Sequence, residues 1–282
     1  MMNGTRRARL FAVVTMTSGL FVSGSVTADD GGNKCAGLPS QSDLQAALAS
    51  ATATETSGLN NQMWGTVVNR DGFVCAVAFT GRNRAAQWPG SRVISAQKAN
   101  TANAFSLDSS SSSNGSGQPA GLALSTANLY SAVQPGGIIY GIEVSNPVDT
   151  SVAYAGNADN YGTKNDPMVG NRIGGVNVFG GGLALYGPGH VVVGGVGVSG
   201  DTSCADHDIA WRTRNNLRLD HLGAAGSIPA VGGVSGDSTR PDNIIYDITP
   251  NPNGGTGISA GGFGHPRCPN TGDQNALPAV RP

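Results

Sequence analysis

The stretch that decides the fold is residues 63–79, which read MWGTVVNRDGFVCAVAF. Two runs rich in β-branched and aromatic residues flank an Asp71-Gly72 pair, which is the strongest short-range signal for a β-hairpin. A turn this short joins antiparallel neighbours only. We therefore predict two strands around residues 69–72, paired within an antiparallel sheet.

Helical patterns surround this hairpin. Apolar residues recur at helical spacing from Asp43, after two serines that are good caps, which predicts a first helix. An alanine-rich run at 93–105 predicts a second helix. Capping-box spacing at Ser203–Asp206 predicts a last helix of about 15 residues, from Ala205 toward Leu219. Further elements are predicted from residue type: a short helix at 122–133 and strands at 138–144, 176–179, 183–186 and 190–198. Helices combined with hairpins indicate an α+β fold.

The N-terminus has the pattern of a secretory signal peptide. Arg6, Arg7 and Arg9 precede a mostly apolar stretch, and Val26-Thr27-Ala28 fits the small-residue cleavage rule. Cleavage after Ala28 changes the formal net charge from −1 to −4, which argues against a nucleic-acid-binding protein. No remaining apolar run is long enough to span a membrane. We therefore predict a periplasmic or secreted protein.

Four cysteines lie in the mature chain, at positions 35, 75, 204 and 268. An exported chain meets an oxidising compartment, so two disulfides are expected, and four cysteines allow three pairings. Their spacing matches no zinc ribbon, and the absence of a CxxCH motif excludes covalent attachment of a c-type haem.

The composition is rich in glycine and poor in charge. Only 12% of residues are charged, against about 25% in ordinary domains. Polar, glycine-containing runs predict loops at 109–117 and 146–172. From residue 223 to 282, Gly, Pro, Asn and Ser dominate, which predicts an extended tail laid over the domain and tied down by Cys268.

Two glycine-rich motifs invite functional interpretations that their surroundings disfavour. Residues 195–200 satisfy GxGxxG, but the following helix begins too late for a dinucleotide site. Residues 197–201 nearly form a nucleophile elbow, with Asp201 where glycine is required. The glycines instead predict close approach of a strand to neighbouring backbone. No catalytic residue is predicted.

Candidate iron ligands are few. His207 lies in the first turn of the last helix and is either a surface residue or a metal ligand; His190 and Met168 are the next candidates. Lys98, alone in a run of Ala, Asn and Thr, is either solvated or the partner of a carboxylate such as a haem propionate.

Four sequence blocks in order resemble the GlcG/HbpS-like haem-binding proteins, a group that includes the C-terminal domain of PduO-type adenosyltransferases. The blocks are Val67–Gly72, Lys98–Ala102, Gly174–Val178 and Val193–Gly200, the last followed by Asp206-x-x-Ile209-Ala210. The resemblance implies a five-stranded antiparallel sheet flanked by helices, oligomerisation, and binding of haem or a related tetrapyrrole. It places the domain at 29–222, with insertions at 106–119 and 145–172.

The resemblance also implies a ligand site. The motif positions carried over are Lys98, Gly174, Gly175, Ser199, Gly200 and Asp206. To these we add Arg82 and Arg84 as partners for propionates and His207 as iron ligand. On this fold we expect the disulfides Cys35–Cys75 and Cys204–Cys268.

The expected function is binding of haem, or of a related tetrapyrrole or iron, by an exported homo-oligomer. One alternative is a structural or interaction oligomer with no haem role. The other is a haem-degrading enzyme on the same scaffold.

Overall fold

A computed structural model describes Met1 and residues 34–108, 121–255 and 257–282. The predicted signal peptide beyond Met1 and the predicted loop at 109–117 lie outside the described residues. The described helices are α1 (Gln41–Thr54), α2 (Ser91–Ala104), α3 (Tyr130–Val133), α4 (Ile142–Ser145), α5 (Thr150–Ala153) and α6 (Ser203–Asn216). The strands are β1 (Trp64–Asn69), β2 (Val74–Phe79), β3 (Leu122–Ala123), β4 (Gly182–Gly187), β5 (Val191–Ser199), β6 (Gly232–Gly233), β7 (Ile248–Thr249) and β8 (Ile258–Ser259).

The central sheet is antiparallel, in the order β2-β1-β5-β4. The predicted hairpin is confirmed: β1 pairs with β2, with Trp64 opposite Phe79, and Gly72 in the turn has φ +80°. Such a φ favours glycine because a Cβ is strained there. The α+β class is therefore confirmed, whereas the central sheet has four strands among the described residues rather than the expected five.

The segment predicted as a strand at 138–144 does not extend the sheet. It forms turns and the short helix α4, because Gly136 and Gly141 take φ values of +89° and +88°, which break an extended run. The run at 176–179 also lies outside the strands, and β4 begins at Gly182 instead.

Helices cover both faces of the sheet. Alternate strand residues point to opposite faces, so Val67 packs in the core with α1 and α6, whereas its neighbour Val68 packs in the core with α2. Two glycines of β5 face α2: a Cβ on Gly195 would lie 2.3 Å from the carbonyl oxygen of Ala99, and a Cβ on Gly197 would lie 1.9 Å from that of Ser95. This confirms the predicted role of these glycines, and it means that α2 of the same chain, rather than a partner, covers that face.

N-terminal caps fix where two of the long helices begin. A reciprocal capping box between Ser40 and Asp43 begins α1. The Thr202 hydroxyl accepts a hydrogen bond from the backbone N–H of Ala205 at 3.3 Å. Helix α6 consequently begins two residues before the predicted Ala205 and ends at Asn216 rather than at Leu219.

The two disulfides join the expected pairs, Cys35–Cys75 and Cys204–Cys268. Residues 223–282 contain the two-residue strands β6, β7 and β8, and they pack on α6. There the Trp211 indole donates to the carbonyl of Pro278, and Arg214 forms a buried ion pair with Asp242. No described helix is long and apolar enough to cross a membrane. The domain boundary at residue 222 stays a prediction.

Candidate functional site

A buried ion pair links three elements of the domain. The Lys98 ammonium of α2 lies 2.7 Å from the Asp206 carboxylate of α6 and also donates to the carbonyl of Val198 in β5 at 3.1 Å. The second Asp206 oxygen accepts from the backbone N–H of Asp201 at 2.8 Å. Both side chains are almost fully buried, so Lys98 is not solvated and neither group is exposed to an outside ligand.

Burial dominates the electrostatics of this pair. It raises the pKa of Asp206 to about 6, against the opposing influence of Lys98. A buried carboxylate is tolerated when a cation and hydrogen bonds satisfy it. The pair therefore fixes the loop between β5 and α6 against α2, which makes Lys98 and Asp206 positioning residues.

Gly180, Gly181 and Gly182, at the start of β4, lie close to the ion pair and to the first turn of α6. A Cβ on Gly181 would lie 2.4 Å from the carbonyl oxygen of Val198 and 3.1 Å from Lys98 Nζ. A Cβ on Gly180 would lie 2.2 Å from the carbonyl oxygen of Ser203. Sequence reasoning missed these residues as site components, although three consecutive glycines before a strand were the available signal.

His207 is enclosed rather than exposed. Its side chain has no exposed surface, and its Nε2 lies 3.1 Å from Asn243 Oδ1 and 3.2 Å from the backbone nitrogen of Ile244. Its Nδ1 has no partner within the described residues. The surface alternative for His207 is therefore wrong, and Asp206 and Asp208 do not orient its ring.

The environment of His207 keeps the imidazole neutral. Burial lowers the pKa of His207 to about 4. The other iron-ligand candidates, His190 and Met168, are also fully buried. The role of His207 as a ligand stays a prediction.

Gly175 lies against another part of α2, whereas Gly174 pairs with Val148. Gly174 and Gly175 have φ values of +62° and +79°, and the Asn100 amide donates to the carbonyl of Gly175 at 2.9 Å. A Cβ on Gly175 would clash with the Gln97 side chain at 2.7 Å. No hydrogen bond among the described residues joins Gly174 or Gly175 to the Lys98–Asp206 pair.

Arg82 and Arg84 line an open groove between the β2–α2 loop and residues 158–163. The groove has a volume of about 470 Å³, and Phe79 and Tyr161 lie along it. Arg84 also borders a second groove of about 520 Å³ lined by Leu59 and Trp88. We call the two grooves together the arginine groove.

The arginine groove exposes two large apolar side chains among polar ones. Trp88 is 52% exposed and Leu59 is 57% exposed. Arg82 has no ion-pair or hydrogen-bond partner within the described residues, and Arg84 lies 3.6 Å from an exposed Asp159 carboxylate. Exposed pairs of this kind are weak and screened by water, so both guanidinium groups are available to an anion.

Gly200, from the family motif, and its neighbour Asp201 hold the part of the arginine groove lined by Leu59 and Trp88 in place. The Gly200 carbonyl accepts from the side-chain amide of Gln87 at 2.6 Å and from that of Asn61 at 3.0 Å. The Asp201 carboxylate accepts from the backbone N–H of Leu59 at 2.8 Å and from that of Asn61 at 3.0 Å. Gly200 and Asp201 are therefore connected to the part of the arginine groove lined by Leu59 and Trp88, whereas Ser199 lies in β5 opposite Trp64 of β1 and Asp206 is bonded to Lys98.

Residues 41–214 match the family model described as haem degrading protein HbpS-like, which covers more than half of the chain. The chain belongs to this family. No curated protein matches the chain. Among solved structures, this HbpS-like chain is similar to a PduOC–haem complex, at 21% identity and a TM-score of 0.40 over 62% of this chain and 89% of the other. It is also similar to the Klebsiella pneumoniae protein ORFY, of the DUF336 family, at 23% identity and a TM-score of 0.39 over 63% and 87%.

The predicted site residues of this HbpS-like protein thus do not come together in one place. Lys98, Asp206 and His207 are buried at the start of α6, and Arg82 and Arg84 are on the surface. Sequence reasoning missed Trp88 and Leu59, because an isolated exposed Trp or Leu is common and gives no signal until its neighbours are known.

Proposed function

We propose that this protein binds haem, or a related tetrapyrrole, in the arginine groove. A tetrapyrrole needs a flat apolar surface, with cations near its propionates. The groove offers Trp88 and Leu59 for the ring and Arg82 and Arg84 for the carboxylates. Membership of a haem-associated family supports the same ligand class.

One observation carries the proposal. Gly200, at the family motif, and Asp201 after it form hydrogen bonds with Leu59, Asn61 and Gln87, which line the part of the groove that also contains Arg84 and Trp88. The motif residues thereby act on the groove without touching the ligand. Lys98 and Asp206 act one step further away, by holding the loop that carries Asp201.

Only the propionate and ring contacts of haem fit the groove residues. His207, the predicted iron ligand, is enclosed by Asn243 and Ile244 and has no exposed surface. We therefore assign the groove to ring and propionate recognition and derive no step through the iron.

A hemin titration followed in the Soret region tests the proposal. The wild-type protein is expected to shift the band and saturate at a defined stoichiometry. The double variant Arg82→Ala/Arg84→Ala is expected to bind about tenfold more weakly, a loss of about 1.4 kcal/mol from two exposed charge contacts. The control Arg218→Asn also removes an exposed arginine, and asparagine tolerates its φ of +57°. Binding by the double variant as tight as that of the control would contradict the proposal.

Haem degradation is the second candidate, because the family description names it. Adding a reductant and oxygen to the hemin complex separates the two functions: a binding protein keeps the Soret band, whereas a degrading enzyme loses it progressively. An interaction oligomer without a haem role would give no saturable shift.

Export and oligomerisation complete the proposal. Two disulfides are typical of an oxidising compartment, and N-terminal sequencing of the mature protein is expected to begin at Asp29. Ile138 and Val144 are 88% and 85% exposed, and exposed apolar surface of this kind favours association. Light scattering at micromolar concentration is expected to give a multiple of the chain mass.

A further inference from the structure

Three possible metal ligands meet where the tail crosses the start of α6. The Sγ atoms of Cys204 and Cys268 and a ring nitrogen of His265 all lie within 4.8 Å of one another. Among the described residues this is the one such group of three. The sulfurs form a disulfide, so the group can bind a metal ion only after reduction.

His265 is arranged as a metal-binding histidine. Its Nδ1 lies 2.7 Å from the carbonyl oxygen of Pro266, to which it donates. That bond leaves the lone pair on Nε2, which is buried and has no partner within the described residues. Metal-binding histidines commonly donate their second nitrogen to such a carbonyl.

The surroundings favour a thiolate at Cys268. The backbone N–H of Cys204, in the first turn of α6, donates to Cys268 Sγ at 3.2 Å. Donors at a helix N-terminus stabilise a thiolate over a thiol. Cys268 is only partly buried, whereas Cys204 is fully buried, so a small reductant reaches the Cys268 sulfur first.

We propose that reduction of Cys204–Cys268 creates a zinc-type site made by Cys204, Cys268 and His265. A dithiol supplies two electrons and two protons, becomes a disulfide itself and leaves two cysteine thiols. Binding of Zn²⁺ then forms two Zn–S bonds and one Zn–N bond and releases the two thiol protons to solvent. This inference is independent of the proposed haem function.

The local dimensions suit a tetrahedral ion. Zn–S bonds of about 2.3 Å place the two sulfurs about 3.8 Å apart, and the Cα atoms of Cys204 and Cys268 are 6.0 Å apart. A cavity of about 310 Å³ borders His265 and is lined by Tyr246 and Arg267. The cavity reaches the site on its His265 side, where a fourth ligand such as water would approach, as in zinc sites with an open position.

The test uses the full chain and Co²⁺ as a spectroscopic substitute for Zn²⁺. The protein is reduced with a phosphine, which does not supply competing thiolates, and titrated with Co²⁺. We expect one equivalent to give thiolate-to-cobalt charge-transfer absorption and the intense visible bands of a tetrahedral site, and Zn²⁺ to abolish both. The oxidised protein is expected to give neither. A reduced wild-type protein without these bands would overturn the proposal.

Matched variants assign the ligands. Cys204→Ala/Cys268→Ala is expected to abolish the bands, and His265→Ala to weaken Co²⁺ binding by more than about 100-fold, since even loss of an outer-shell partner costs 10–100-fold. The controls Cys35→Ala/Cys75→Ala and His221→Ala are expected to keep the wild-type spectrum. Circular dichroism of each oxidised variant verifies its fold, and metal-dependent recovery of structure after reduction counts as binding. Equal Co²⁺ affinity in His265→Ala and wild type would refute the site.

Discussion

Asp208 is a buried carboxylate that forms no ion pair with any described residue, and its replacement by asparagine is expected to stabilise the protein above neutral pH. One oxygen accepts from the side-chain amide of Gln274 at 3.1 Å, and the other has no partner within the described residues. Burial raises the pKa of Asp208 to about 7, and the nearby Glu55 contributes in the same direction. At pH values between the unfolded and the folded pKa, the folded protein therefore keeps a proton on Asp208 that the unfolded chain releases.

The size of the effect follows from that pKa. The value rises from 3.8 to about 7 on folding, and each unit is worth about 1.4 kcal/mol, so the full cost of ionising Asp208 is about 4 kcal/mol. Because the folded pKa is raised, this contribution to stability is fully present below the unfolded pKa and is lost as pH rises through about 7. Between about pH 5 and pH 8, the expected loss is about 3 kcal/mol.

Denaturant unfolding at about pH 5 and pH 8 measures this loss. An asparagine side chain accepts the Gln274 hydrogen bond but cannot ionise, so Asp208→Asn is expected to gain about 3 kcal/mol on wild type between the two pH values. Comparing the two proteins cancels titrations that they share, such as those of Asp206 and His207. The control Asp237→Asn removes a carboxyl whose pKa is lowered by its hydrogen bond with Thr239, and it is expected to give no gain. A pH-independent difference for Asp208→Asn would refute the reasoning.

Three further substitutions test the region around α6. Gly181→Ala is expected to lower the free energy of unfolding by more than about 2 kcal/mol, because its Cβ would clash with the Val198 carbonyl. The control Gly189→Ala, also at positive φ but with open space around it, is expected to lower it by about 1 kcal/mol. Equal losses in chemical denaturation would contradict this. Lys98→Met leaves Asp206 buried without its cation and is expected to destabilise by about 3 kcal/mol, against less than about 0.5 kcal/mol for the exposed Lys164→Met. A surface His207 would tolerate alanine, but the buried His207 observed here is expected to lose about 2 kcal/mol on His207→Ala, and an unchanged melting temperature would show this to be wrong.

Local signals made the hairpin and the long helices predictable. The Asp71-Gly72 turn and the Ser40 cap depend on residues only a few positions apart, so their physics is present in a short window of sequence. The disulfide pairs followed once the resemblance had placed the first helix and the sheet. The predicted strand at 138–144 failed because apolar content alone does not reveal that Gly136 and Gly141 take left-handed φ values.

The environment of the site was not predictable from short windows. Lys98 and Asp206 are 108 residues apart in sequence, so neither the charge of one nor the burial of both could be inferred locally. His207 is enclosed by Asn243 and Ile244, from a tail whose path the sequence did not define. The arginine groove likewise depends on Asp201 holding Leu59 across 142 positions. The positions of the motif residues could be identified from the sequence, whereas the residues that they contact become known only from the folded structure.

The most direct test of the account combines a change in the ligand with a change in the protein. Hemin and its dimethyl ester, which lacks propionate charge, are titrated into wild-type protein and into Arg82→Ala/Arg84→Ala. If these arginines recognise the propionates, esterification weakens binding to wild type by about tenfold. It leaves binding to the variant nearly unchanged, because the variant has already lost the contacts that esterification removes. Equal weakening of both proteins by esterification, or tight binding of the ester to wild type, would contradict recognition of propionates in the arginine groove.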